Sequence, residues 1–153
     1  MAELKQLRDT ALATVIDDDA VLGNGARAAA DYDNSAELDF SGVFYLTVQW
    51  NTTAPSANIA VAELYVLPGD GEGTEVFPEG GDAGLGTDDD PQACFLVHTF
   101  ETINPSITVD ETIGSPEVEL YGDGNRVVLK NISGQEFDLT WILKLKPAKT
   151  QSV

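Results

Sequence analysis

The sequence predicts an all-β protein, an antiparallel β-sandwich or jelly roll with an N-terminal arm. Three observations predict it. Val43 to Trp50 alternates with a period of two, the spacing of a half-buried strand. Further apolar runs of strand length are separated by clusters of Gly, Pro, Asn and Asp. These residues make turns because they supply positive φ, a fixed φ or a side chain that bonds its own backbone. No interior segment carries the apolar repeat of a helix, and many short strands between turns indicate a sandwich. With 153 residues, 42% of them apolar, the chain is long enough for one domain with its own core.

The expected organisation is an arm over 1–30, a β-sandwich domain over 31–147 and a C-terminal tail over 148–153. The arm is alanine-rich, lacks aromatics and contains Asp17-Asp18-Asp19 and the turn pair Asn24-Gly25. Its segment Glu3 to Ile16 suits a short helix or an extended arm equally. In the first strand Phe44, Leu46, Val48 and Trp50 share one face, and Tyr45, Thr47 and Gln49 the other. A polar turn with Pro55 leads to a second strand, Ile59 to Leu67. Pro68 cannot donate to a ladder, so that strand stops at Pro68-Gly69-Asp70-Gly71.

Residues 68–91 form a long acidic, glycine-rich loop, for which only Val76, Phe77 and Leu85 offer anchors. Strands are then expected at Ala93 to Thr102, Ser106 to Glu111 and Val118 to Tyr121. Gly122-Asp123-Gly124-Asn125 reads as a hairpin turn into a strand at Arg126 to Ile132. After the turn Ser133-Gly134-Gln135, a last strand runs from Glu136 to Lys146. Phe137, Leu139, Trp141, Leu143 and Leu145 point inward on it, and Ile142, which breaks the outward pattern, marks a covered face or a contact there. The tail beyond Pro147 is expected to fray.

Charge sets the sign of any partner. The formal net charge is −18, and no lysine or arginine occurs between Arg27 and Arg126. Such a body repels phosphates and anionic headgroups, so neither nucleic acid nor membrane is an expected partner. The eight basic residues sit toward the chain ends. Candidate partner-binding residues are Lys5, Arg8 and Arg27 in the arm and Lys144 and Lys146 on the last strand. Taken singly, each also reads as an ordinary solubilising charge.

Catalytic and metal chemistry find little support. The single cysteine, Cys94, excludes an intrachain disulfide and lies in the apolar run Ala93 to Val97, where a buried, inert thiol is expected. The single histidine, His98, lies between Leu96 and Phe100 on one strand face and reads as structural more readily than as a catalytic base. One His and one Cys make no transition-metal set, and neither a G-x-S-x-G elbow nor a phosphate loop is present. The runs Asp17-Asp18-Asp19, Asp70-Gly71-Glu72 and Asp88-Asp89-Asp90 offer oxygen ligands to calcium, but they match no EF-hand and read as solvated loops. The expectation is therefore no catalysis, no cofactor and no metal. No apolar run reaches the ~20 residues of a membrane helix, and the first residues lack a signal-peptide core, so synthesis in the cytoplasm is expected.

Two segments resemble a known group. Leu46 to Gly73, LTVQWNTTAPSANIAVAELYVLPGDGEG, resembles a strand, a turn around Ala54-Pro55, a second strand reading ELYVLP and a glycine turn. Arg126 to Phe137, RVVLKNISGQEF, resembles the late hairpin of the same group. The group is the small β-sandwich structural proteins of tailed-bacteriophage virions. The resemblance implies a non-enzymatic capsid cement or decoration protein on the virion surface. Its partners would be the major capsid protein and neighbouring copies of itself, in a homo-oligomer. An alternative is a tail, turret or fibre module binding host carbohydrate, for which Tyr45, Tyr65, Phe77 and Tyr121 are candidate aromatics.

Overall fold

The structure is a computed structural model of the chain and describes residues 4–8, 12–32, 39–69, 77–78, 90–121 and 124–152. Its strands are β1 (Leu4–Arg8), β2 (Ala13–Ile16), β3 (Arg27–Tyr32), β4 (Asp39–Val48), β5 (Ala60–Pro68), β6 (Leu96–Glu101), β7 (Glu111–Glu119), β8 (Asn125–Asn131) and β9 (Ile142–Ser152). A 3-10 turn, Ala93–Phe95, precedes β6. One sheet is five-stranded, in the order β1-β9-β4-β7 with β2 also on β9; the other is four-stranded, β3-β8-β5-β6. Every pairing is antiparallel. The expected antiparallel sandwich is the observed fold.

The core follows from strand periodicity. Phe44, Leu46, Val48 and Trp50 are all buried, as their alternation requires. They meet Ala62, Leu64 and Val66 of β5, Val127 and Leu129 of β8 and Leu143 and Leu145 of β9 in one cluster. A second cluster lies on the outer side of the four-stranded sheet, where Tyr65, Leu67 and Val128 pack with Phe77. The middle strands β5 and β8 are thus buried on both faces, which is why their sequences run apolar without alternating.

The expected arm is part of the sandwich. Ile16, Leu22 and Ala28 enter the main core, β2 pairs β9 and β3 pairs β8, so a boundary after residue 30 falls inside a strand. Each of the three apolar residues belongs to a different element, so no periodicity marks them. The expected frayed tail is also corrected. Residues 148–152 continue β9, with Arg8 opposite Ala148 and Leu4 opposite Ser152. Each terminal segment supplies the ladder the other lacks, a long-range pairing that neither shows alone.

Three further expectations change. The link from β7 to β8 joins different sheets, so it is a crossover and not a hairpin. Buried Asn125 fixes it: its side chain accepts from the Tyr121 N–H at 2.8 Å and donates to the Tyr121 carbonyl at 3.0 Å. Residues 102–110 form a loop in place of the strand expected at Ser106 to Glu111. The Glu111 carboxylate accepts the Ile103 and Asn104 N–H groups, and Ser106 Oγ accepts those of Thr108 and Val109. The last expected strand is interrupted. Phe137 bridges Leu22 and Trp50, then the chain turns at Asp138, where Trp141 N–H donates to the Asp138 carbonyl at 3.0 Å. Leu139 is therefore exposed in a turn, whereas Phe137, Trp141, Leu143 and Leu145 are buried as expected. Half-buried Ile142 pairs Thr47.

Cys94 is exposed, contrary to expectation. It sits on the 3-10 turn, its thiol directed at Gln92 Oε1 at 3.8 Å, and the strand begins only at Leu96. An apolar run of strand length was split between two local structures.

Candidate interaction face

The two sheets treat their cations differently. Three of the eight basic residues, Arg27, Arg126 and Lys130, lie on β3 and β8 of the four-stranded sheet. Asp90 takes two of them, at 3.4 Å from Arg27 Nη1 and 2.9 Å from Lys130 Nζ. Arg126 bonds Asp31, its partner in register, and stacks 4.3 Å above the Phe77 ring. A guanidinium so placed gains from both the carboxylate and the ring face. The parts of the acidic loop that are described thus cover this sheet. Phe77 packs over it as an anchor, while Val76 and Leu85 lie outside the described residues, as do Asp70 to Glu72, Asp88 and Asp89.

Arg27 consequently leaves the partner-binding set. Its side chain is only 8% exposed and its charge faces Asp90. Tyr65 and Phe77 leave the carbohydrate set for the same physical reason, since both are buried. The Tyr65 hydroxyl donates to the Glu63 carboxylate; burial first, then that bond, pushes its phenol pKa well above the ordinary value.

The remaining candidates share one sheet. Lys144 stands opposite Tyr45 on one side and Thr14 on the other, and Lys146 stands opposite Val43. The alternation that buries Leu143 and Leu145 places both lysines on the outer face. Lys5 and Arg8 lie on β1 of the same sheet, opposite Gln151 and Ala148. Among the described residues neither Lys144 nor Lys146 has a carboxylate partner. A shallow depression of about 250 Å3 opens between Tyr45, Glu117, Lys146 and Pro147. Thr47 and Thr112 share a hydrogen bond at 2.9 Å beside it, and Ser41 Oγ donates to Glu117 at 2.7 Å. Lys149, opposite Leu7, is a further cation of this sheet that the sequence reading did not select. It falls out of the two-residue spacing of Lys144 and Lys146 and lies past Pro147, so no local pattern joined it to them.

His98 sits on β6 opposite Leu64, with its ring edge-on to Phe100 at 4.8 Å between centroids. Burial lowers its pKa below the ordinary 6.5, while the nearby Glu101 pulls the other way. A pKa depressed by folding means that the stability it contributes is full above 6.5 and is lost as pH falls through the folded value. Proton NMR titration of this sole imidazole should give a midpoint below 6.5; a midpoint above it would show that the carboxylate outweighs burial. No group of three His, Cys, Asp or Glu side chains is placed to hold a metal among the described residues.

Fold and face together define a small antiparallel β-sandwich with an acidic body and two lysines, Lys144 and Lys146, on the outer face of an interior strand. No protein-family model matches the chain, and no curated protein matches it. Among solved structures it is similar to the CBM35 from Cellvibrio japonicus Abf62, at 14% identity and a TM-score of 0.35, over 96% of this chain and 93% of that one. A likeness that loose carries no argument about what this chain binds.

Proposed function

We propose that this chain is a non-enzymatic structural protein of a tailed-bacteriophage virion, a capsid cement that bridges and stabilises major capsid subunits. The observation that carries the reading is the segregation of cations. The four-stranded sheet pairs its basic residues internally, and among the described residues the five-stranded sheet keeps Lys144 and Lys146 without carboxylate partners on an otherwise acidic molecule. A basic face on such a body orients it against an acidic protein surface, because the rest of the molecule is repelled there. The resembling segments also meet in space: β5 and β8, which they contribute, are neighbours, and Trp50 bridges Phe137. A cement acts by mass action, since binding only the assembled shell stabilises it without chemistry.

The test is co-sedimentation with capsids lacking the protein, followed by heating. Stoichiometric binding and a gain in heat resistance are expected. The double variant Lys144→Glu, Lys146→Glu should bind roughly tenfold more weakly or worse, about 1.4 kcal/mol or more. Wild-type protein that neither binds nor protects the shell would refute the cement reading, and undiminished binding by the variant would refute the face.

A further inference from the structure

We propose that Asn24-Gly25 is a covalent modification site that the fold holds shut, so that deamidation marks molecules whose corner has opened. This goes beyond the virion reading and does not depend on it, because it rests on backbone chemistry.

Asn24-Gly25 is the only Asn-Gly pair in the chain, and both residues are exposed. Such a pair is reactive because glycine has no side chain to shield its nitrogen and bends readily toward the side chain before it. The Gly25 nitrogen gives its amide proton to water or hydroxide and attacks Asn24 Cγ. The bond from Cγ to Nδ2 then breaks, Nδ2 takes a proton from water and leaves as ammonia, and a five-membered succinimide remains. Water opens that ring at either carbonyl, giving aspartate or isoaspartate. Nothing is oxidised or reduced, and water is the only co-reactant.

In the fold both reacting groups are engaged. The Gly25 N–H donates to the Asn131 carbonyl at 2.7 Å, and Asn24 Oδ1 accepts the Gly134 N–H at 2.8 Å. The Ala26 N–H closes the turn onto the Gly23 carbonyl at 3.0 Å, and the Asn131 N–H returns a bond to the Ala26 carbonyl at 3.0 Å. The nitrogen that must lose its proton is thus the one whose proton the corner holds. The side chain that must swing toward it is tied to another loop. Asn131 is fixed in turn, its buried side chain bonded to Leu22, Ser133 and Gln135. Reaction therefore waits for the turn at 23–26 to part from 131–134, and its rate follows the open population.

The two products differ in consequence. Aspartate keeps an oxygen for the Gly134 N–H. Isoaspartate inserts one more atom into the main chain between residues 24 and 25. That displaces Gly25, which holds the turn at a φ of +79°, and with it the bonds that join the turn to Asn131. β3 begins at Arg27, directly after this turn, so the loss reaches the end of its ladder on β8. A molecule that opens for long enough to form isoaspartate cannot close the same corner again.

The experiment follows deamidation of the full chain at mildly alkaline pH, folded and in unfolding urea, by mass spectrometry of the tryptic segment 9–27, in which Asn24 is the only asparagine. The unfolded chain should convert about tenfold faster or more. Below the unfolding midpoint, added urea should raise the native rate in step with hydrogen exchange at the Gly25 amide, since both need the same opening. The variant Asn24→Asp should melt close to wild type, and the isoaspartyl chain refolded from urea should melt lower. A folded chain that deamidates as fast as the unfolded one would overturn the proposal. So would a native rate that ignores urea while Gly25 exchange climbs, or an isoaspartyl chain that melts together with the aspartyl variant.

Discussion

Phe137→Ala should cost about 3–5 kcal/mol of stability, as large-to-small changes at fully buried aromatic sites do. Phe137 is fully buried, edge-on to Trp50 at 5.1 Å and near Trp141 at 6.1 Å. Its N–H donates to the Leu22 carbonyl at 3.0 Å, and the next residue, Asp138, donates to the Gln49 carbonyl at 2.7 Å. The ring therefore fills the space where the loops after β2, β4 and β8 converge. Removing it leaves a void between two indoles, and surroundings held by backbone bonds cannot collapse to fill it. These indoles belong to the only two tryptophans in the chain, so denaturant unfolding followed by their fluorescence reads the site directly. A loss under about 1 kcal/mol would mean that the loops relax freely.

Replacing Asn131 should be nearly as severe, for a polar reason. Its Nδ2 donates to the carbonyls of Leu22 at 2.9 Å and Gln135 at 2.7 Å, and its Oδ1 accepts the Ser133 N–H at 2.9 Å and hydroxyl at 2.7 Å. The side chain is wholly buried, so water cannot substitute for lost partners. Asn131→Leu should cost about 3 kcal/mol, from several buried groups losing a bond at roughly 1–3 kcal/mol each. Asn131→Asp should cost more at neutral pH, because a carboxylate would face two carbonyl oxygens. Part of that loss should return as acid protonates it. Thermal melts should show the leucine variant down by about 6–12 °C. Equal melting of the two variants across pH would refute the electrostatic part.

What could be read from the sequence was whatever a local pattern encodes. Phe44 to Trp50 announced an inner face, and Pro68 ended β5 where it had to. The rest depended on partners distant in sequence. Ile16, Leu22 and Ala28 are spaced without period because each packs from a different element. Leu139 continued an alternation that the Asp138 turn breaks, and nothing nearby said that Phe137 would bridge Leu22 and Trp50. At the candidate face, charge sign was legible but pairing was not. Arg27 and Lys144 are both strand cations, yet Asp90, far along the chain, comes within 3.4 Å of the first. Exposure of Cys94 was hidden because an apolar run does not reveal where a 3-10 turn ends and a strand begins.

The pairing of Leu4 with Ser152 brings the two ends of the described chain within one strand spacing, ~5 Å, at a single corner of the sandwich. Topologically the domain is a closed bead on a string: the polypeptide enters and leaves by the same door. A bead of that kind can be spliced into a surface loop of another protein without stretching the host. Cargo fused before Leu4 or after Ser152 would emerge from one spot, which makes the fold a compact display platform.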